Sequence, residues 1–342
     1  MESVFALENL WLALALKAGL LVFFFLNAPL VVGYMEHKVL AHMQDRLGPM
    51  EAGGFHGWAQ LVADGIKFIQ KEDIIPKAAD KWVFALAPGV ALVPALVILA
   101  TIPLGPGVFA ENLDSGIFFA LAVSSVSVIG ILMAAWSSAN KYSLMGGLRA
   151  AAQLIAYELP LVLAAAAVVV QAGTLSLVGI VEAQHDFTAF GIPVPYAVPQ
   201  ILGLGLFYVA ALAELSRPPF DMPIADSEII FGHMTEYTGL RYAFFMLTEY
   251  AGMVVLSALA TVMFLGGWYI WPGVPLPVGV LGALVGFGVT MGKIMALTFV
   301  MVWLRATFPR LREDQLQRFS WLLLIPLAIL NIAVVAIFKV MF

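Results

Sequence analysis

Cysteine is absent from all 342 residues. This excludes disulfides, and it excludes iron–sulfur clusters and thiolate zinc sites carried by this chain. Charge is scarce as well: Asp, Glu, Lys and Arg make up 11% of the chain, against about 25% in soluble domains. The net charge is −5 and no basic stripe stands out, which argues against nucleic acid as a partner. Internal repeats of the kind found in inverted-repeat transporters are not visible. The histidines, His37, His42, His56, His185 and His233, are scattered with no i, i+4 ligand pair. No metal site is expected from them, and each reads as an interfacial or hydrogen-bonded histidine. What remains is greasy: 62% of residues are hydrophobic and mean hydropathy is +0.97. Such a chain belongs in a bilayer.

Apolar runs of about 20 residues are long enough to cross a ~30 Å hydrocarbon core as helices. Eight are expected, at about 10–34, 82–103, 117–136, 150–171, 196–213, 242–267, 278–304 and 321–341. The fold class is therefore all-α and polytopic, a single membrane domain over residues 1–342. The N-terminal stretch opens with Glu2 and Glu8 and runs apolar for too long to be a cleaved signal, so it reads as the first span.

The loops differ sharply in charge. Those after the first, third, fifth and seventh spans, with their flanks, hold 14 of the 17 basic residues, while those after the second, fourth and sixth hold none. The other three, Lys17, Lys293 and Lys339, fall in apolar spans or near the C-terminal end. The positive-inside bias puts the odd-numbered loops in the cytoplasm and both termini outside. The outer loops are rich in Gly, Pro and aromatics, which suggests tight turns and interfacial anchoring. His185 and Asp186, in one of them, are expected to be solvated.

In the first cytoplasmic loop, residues 54–71 show helical periodicity. Phe55, Trp58, Val62, Ile66 and Ile69 share one face, and His56, Gln60, Asp64, Lys67 and Lys71 the other. A short two-faced helix lies along a membrane interface. It reads as a surface anchor, or as the roof of a cavity with Asp64 and Lys67 turned to something polar.

Carboxylates inside apolar spans are unusual. Glu158 precedes Pro160 in the fourth span, Glu249 lies in the sixth, and Glu214 closes the fifth. A charge near the bilayer centre costs at least ~2.5–3.5 kcal/mol, so such groups face the bundle interior or water. Glu158 could pair with Lys293. Three carboxylates at similar depth have too few cations around them for an ion-pair scheme, and a hydrated proton relay suits them better. A unit charge appearing about 10 Å away is worth ~1.7 kcal/mol at an effective dielectric constant of about 20, enough for nearby chemistry to move their protons. Between two apolar runs, the stretch AELSRPPFDMPIADSEIIFGHMTEY adds further acids to Glu214: Asp221, Asp226, Glu228 and Glu236.

Four stretches together give a specific pattern. They are RLGP followed by GWAQLVADGIKFIQKED; WSSANKYSLMGGLRAAAQLIAYELPL; AELSRPPFDMPIADSEIIFGHMTEYTGLRYAFFMLTEYA; and LRATFPRLREDQLQRFSW. In order across the four cytoplasmic connections, they resemble the H-subunit family of bacterial respiratory complex I, counterpart of mitochondrial NADH dehydrogenase subunit 1. The resemblance covers nearly the whole chain. It implies a membrane subunit of a proton-translocating NADH–quinone oxidoreductase, with no NADH site and no redox centre of its own. Its implied substrate is ubiquinone or menaquinone, entering a chamber that this subunit largely forms. The implied partners are soluble iron–sulfur and quinone-reducing subunits on the cytoplasmic side, and small and antiporter-like membrane subunits. The implied location is the bacterial inner or plasma membrane.

Carried over residue by residue, the resemblance makes Glu158, Glu214 and Glu249 proton-channel carboxylates. Asp221, Asp226, Glu228 and Glu236 become an acidic coupling loop within residues 214–241. Glu36, Arg46, Asp64, Lys67, Arg217 and Phe220 fall at or near the quinone path. Arg305, Arg310 and Arg312 match the last cytoplasmic motif, where anchoring at the inner face and docking to soluble subunits is the preferred role. The chain departs from the family pattern at His37, which stands where arginine is common; at Met50-Glu51, where Asn-Arg is frequent; and at Ile224, where a carboxylate is frequent. Two other readings compete: a related membrane subunit of a hydrogenase or formate-oxidising complex, and a stand-alone cation–proton antiporter. The closely matched PPFD loop and the intact ADGIKFIQKED segment favour the quinone version.

Overall fold

Water is missing from a bilayer core, so a chain this apolar must satisfy its backbone internally, and helices do so within one segment. The computed structural model describes residues 10–189, 192–277 and 279–341, apart from the side chains of Ala189 and Asp226. Expectations for the first nine residues and for Val278 lie outside the described residues.

Among the described residues, seven helical stretches are long and apolar enough to cross a membrane. They are α1 (Leu10–Met43), α3 (Lys81–Thr101), the pair α4 (Gly116–Ser124) and α5 (Val126–Ser137), α6 (Lys141–Ala172), α10 (Gly239–Phe264), α11 (Val280–Thr307), and α12 (Glu313–Phe319) with α13 (Ile325–Met341). A π-helical stretch, Ser320–Leu324, joins the last two. The shorter helices are α2 (Gln60–Gln70), α7 (Leu177–Asp186), α8 (Ile201–Glu214) and α9 (Asp226–Ile229). A two-stranded antiparallel pair, β1 (Thr188–Ala189) and β2 (Ile192–Pro193), lies beyond α7.

The fifth expected span becomes α8, which has 14 residues. At 1.5 Å per residue it is about 21 Å long, short of a full ~30 Å core. Helix α1 goes the other way. Its 34 residues reach about 51 Å, so Glu36, His37 and Lys38 extend the helix instead of beginning a loop. The amphipathic helix is also shorter than expected. His56 and Gly57 have φ of 58° and 64°, and Gly53 and Gly54 both have 81°. That left-handed backbone cannot join an α-helix, so α2 starts only at Gln60. Phe55, Trp58, Val62, Ile66 and Ile69 are all exposed.

Helices α6 and α10 form the centre of the bundle, with most of α10 from Ala251 onward buried. Helices α1, α11 and α13 are peripheral and show large apolar side chains such as Phe23, Leu284 and Phe338 to their surroundings. A core carrying this many small residues packs closely. Gly130 lies so near α3 that a Cβ there would stand 2.5 Å from the Ala91 amide nitrogen.

The three basic residues Lys17, Lys293 and Lys339 have structural partners. Lys293 donates to the carbonyls of Leu265, Gly267 and Tyr269 beyond the end of α10, at 2.5, 3.0 and 2.6 Å. Lys339 donates to Val170 near the end of α6, at 2.7 Å. Lys17 donates to Ala110 at 2.9 Å. A lysine suits Leu265 and Val170 because they stand at the ends of α10 and α6, where orphan carbonyls carry the negative end of the helix dipole. The pairing of Glu158 with Lys293 is therefore not formed. The connection after α6 is likewise more than turns: Ser176 caps α7, whose Leu177, Val178, Ile180 and Val181 are buried. His185 is not merely solvated. Its ring stacks on Tyr269 with centroids 4.0 Å apart, and its Nδ1 accepts from the Gly273 amide at 3.2 Å.

Candidate functional site

The segment after α8 folds back against the basic ends of α6, α10 and α11. It turns sharply at Ser216, whose φ is 51°, and passes through a cis bond between Pro218 and Pro219. Short helical turns follow at Met222–Ile224, α9 and Gly232–Met234. Two contacts hold it to α6. Gln153 is fully buried and donates to the carbonyls of Ala213 and Phe220, both at 2.7 Å. At Gly232, φ is +54° and a Cβ would lie 2.0 Å from the Pro223 carbonyl oxygen, so only glycine allows this approach. Gly146 on α6 meets the same point: its Cβ would fall 2.5 Å from the Gly232 Cα.

Arg217 is the most deeply set charge, at 1% exposure. Its Nη1 donates to Glu36 Oε2 at 2.5 Å, and its Nε lies 2.8 Å from Glu249 Oε1. The guanidinium also lies over the Tyr250 ring, 4.9 Å from the centroid. Arg305 completes the chain by pairing with the other oxygen of Glu36. Burial alone would favour a neutral Arg217, but Glu249 and Glu36 outweigh it and raise its pKa, so the guanidinium stays charged. The sequence offered too few cations for Glu249. The missing one is Arg217, which the resemblance assigns to the quinone path.

On the opposite side of Glu249 lies a cavity of about 110 Å³, lined by residues of α3, α4, α5, α6, α10 and the loop. Glu214 and Glu249 both line it, with His233, Ser124, Ser127 and Thr248. Water takes roughly 30 Å³ per molecule in the liquid, so the space admits several. The Oε2 of Glu214 is enclosed and has no hydrogen-bond partner. Glu158 is half-buried on α6 and does not line this cavity.

Two of the four loop acids pair with arginine. Asp221 Oδ1 lies 3.0 Å from Arg310 Nε. Glu228 accepts from Arg149 Nη1 at 2.5 Å and lies 3.3 Å from Arg310 Nη1. The Arg149 hydrogen bond holds the Glu228 carboxyl below its usual range, with Arg310 and Arg149 adding through their charge. Glu236 accepts from the Asn140 side chain at 2.5 Å. Asp226 stands at the start of α9, with its side chain outside the described residues. Thus Arg305 and Arg310, expected to serve docking, are bound to carboxylates of this chain. Arg312 is the residue before α12, where its backbone N–H donates to Gln315 Oε1 at 3.1 Å.

The six residues expected near a quinone do not gather in one cavity. Glu36 and Arg217 are locked in the buried ion network. Phe220 is buried against Tyr157 and Phe319, with centroids 5.4 and 6.4 Å away. Asp64 and Lys67 pair with each other on α2 at 3.2 Å, and Arg46 is exposed past the end of α1, with its Nε donating to Gln44 at 2.9 Å. Sequence reasoning missed Gln153 and His233. Gln153 carried a usable signal, since a polar amide within an apolar span needs internal partners. His233 had none beyond its residue type.

The fold and the buried carboxylates define a multi-pass helical membrane protein with ionisable groups at its core. The chain belongs to the NADH dehydrogenase family, whose model matches residues 16–336. It is similar to the H subunit of NADH-quinone oxidoreductase from Geobacillus kaustophilus (strain HTA426), 45% identical over 307 residues, which cover 90% of this chain and 88% of the relative. The protein of the same name from Bacillus mycoides (strain KBAB4) is 46% identical over the same shares. That from Anoxybacillus flavithermus (strain DSM 21510 / WK1) is 42% identical over 100% of this chain and 98% of the relative.

Proposed function

We propose that this chain is the quinone-chamber and proton-coupling membrane subunit of a proton-translocating NADH–quinone oxidoreductase. The names of the relatives and the extent of the match support the assembly. In this reading α8 is an eighth crossing, thinned at one end by the loop that follows it. The basic loops face the cytoplasm, and α2 lies along that interface with its exposed apolar face in lipid. Soluble subunits cover the loop surface, and further membrane subunits cover part of the exposed apolar perimeter. The quinone, ubiquinone or menaquinone, would reach the chamber beside α1 and α2. The side chains expected along its route, Arg46, Asp64 and Lys67, are accessible there.

Glu249 carries the coupling part of this reading, because one carboxylate belongs to both halves of the site. One side of it meets the Glu36–Arg217–Arg305 chain, and the other opens on the cavity with Glu214. Negative charge left by quinone reduction would compete for Arg217 and release Glu249 to take up a proton. That proton then passes by the cavity to Glu214 and towards Glu158 on α6, where neighbouring subunits receive the signal. The acidic loop, with Asp221, Asp226, Glu228 and Glu236, would carry the change between chamber and cavity.

The test is Glu249→Gln in the whole complex. Glutamine keeps the shape beside Arg217 but cannot ionise. Coupled turnover should fall at least roughly tenfold, as expected when a positioned proton carrier is lost, while the complex still assembles. Normal proton pumping by the assembled variant would refute the role.

A further inference from the structure

We infer that His233 is a proton carrier in the cavity beside Glu214, handing protons between the acidic loop and that carboxylate. This rests on the proton-coupling reading above and extends it to a residue that reading does not use.

Four observations meet at this side chain. His233 is 5% exposed, held in the Gly232–Met234 turn whose position Gly232 fixes against Pro223. Its Nδ1 is enclosed and has no hydrogen-bond partner, an omission that is costly in a buried group. It lines the same cavity as Glu214, whose Oε2 also lacks a partner. Its ring meets Phe245 edge-on at 5.4 Å, so packing alone would be served equally well by an aromatic ring without nitrogen.

The surroundings set the protonation state. Glu214 and Glu249 are the charged groups that share the cavity, and among the described residues no lysine or arginine lines it. Glu249 is already held by Arg217, and Glu236, nearby on the loop, by Asn140. Burial pushes the pKa of His233 down to about 4, so the ring is neutral at working pH and charges only in passing. A neutral imidazole has one N–H and one lone pair. A proton arriving at the bare nitrogen makes the imidazolium, and the proton on the other nitrogen then leaves. Proton count and charge are restored after each transfer, and a reverse exchange or ring turn resets the tautomer.

The experiment uses the assembled complex in native membranes, with two substitutions, His233→Phe and His233→Gln. Phenylalanine keeps the ring and its packing, and glutamine keeps hydrogen bonding, but neither exchanges a proton. Subunit content is checked on native gels, and proton uptake is followed with NADH and quinone as substrates. Both variants should lose coupled turnover by about tenfold or more, within the loss that removing a positioned proton-transfer group brings. A normal rate in assembled His233→Phe would make the residue a packing element, and one in His233→Gln would make it a hydrogen-bonding element. Either result overturns the proposal, and if one variant fails to assemble the other decides. Glu249→Gln serves as the control. Should it pump normally, the coupling reading fails, whereas an impaired control beside an unimpaired His233 variant discards the histidine alone.

Discussion

Two neighbourhoods meet at Glu249 and solve opposite problems. On the Arg217 side every charge is matched: Glu36 is shared by Arg217 and Arg305, and Glu249 lies 2.8 Å from Arg217. Buried polar atoms without a hydrogen-bond partner occur on both sides, but those of Arg217 sit among matched charges, whereas the Oε2 of Glu214 and the Nδ1 of His233 on the cavity side have no ion pair. A charge-matched ion network resists change, because displacing one charge exposes the others in a poorly solvating interior. An unsaturated cavity invites exchange, because each orphan atom gains from a visiting proton or water. Coupling chemistry needs both: a rigid part that feels a distant charge and a soft part that moves a proton in response. In the proposed coupling, Glu249 translates between them.

The largest expected effect comes from breaking the rigid half. Arg217→Met removes the one cation common to Glu36 and Glu249 and leaves both carboxylates short of a partner. Removing one member of a buried pair costs about 3–5 kcal/mol. The loss should show as a sharply lower thermal midpoint of the purified complex, or as absence of this subunit from it. An unchanged midpoint would mean that water replaces the guanidinium at no cost and that the network is not rigid. The corresponding change on the soft side, Glu214→Gln, should lower turnover with little effect on that midpoint, since the lost carboxylate oxygen has no protein partner to abandon.

Gly232 lets the comparison be sharpened without touching a charge. Gly232→Ala must place a methyl 2.0 Å from the Pro223 carbonyl at a φ of +54°. The left-handed backbone alone costs of order 1–3 kcal/mol. The turn must shift, and His233 with it. The expected outcome is intact Arg217 chemistry, seen as near-normal assembly, with reduced coupled turnover. Equal loss of assembly and turnover would show that the loop is a structural clasp and nothing more.

Much of this was legible in the primary structure, and the misses have physical reasons. Long apolar runs announced α3, α6, α10, α11 and α13, because a bilayer imposes length and composition together. Loop charge separated a basic end from a neutral one. Glu158, Glu214 and Glu249 stood out for the same reason, charge where charge is costly. What sequence could not supply was pairing. Glu36 and Arg217 are 181 positions apart, and no periodicity links them. Arg305 and Arg310 looked like inner-face anchors because their carboxylate partners lie on other elements. The start of α2 was missed because the left-handed backbone at His56 carries no marker in its residue type, though the neighbouring glycines hinted at a break. The surplus of carboxylates in the loop was read as one acidic chain. Arg149 and Arg310 show that much of it is a set of matched surface pairs.

Those surface pairs give the smallest effect and test whether the loop acts as a charge reservoir or as a fastener. Glu228 is half exposed and its carboxyl is held below the ordinary value of 4.5, first by the Arg149 hydrogen bond and then by Arg310. A depressed carboxyl stabilises the fold above its ordinary value and loses that contribution as pH falls through the lower, folded value. Exposure and salt screening limit the contribution to about 1 kcal/mol or less. Glu228→Gln should therefore lower the thermal midpoint slightly near neutral pH, and less so in high salt. The difference from the parent should begin to close as pH falls below about 4.5 and vanish once pH has passed the lower, folded value, where the parent carboxylate itself protonates. Arg149 retains Glu313 at 3.7 Å, so part of the fastening survives. A gap that widens towards low pH would reverse the sign, which would mean that ionised Glu228 is a burden on the fold. In that case the loop stores negative charge instead of cancelling it.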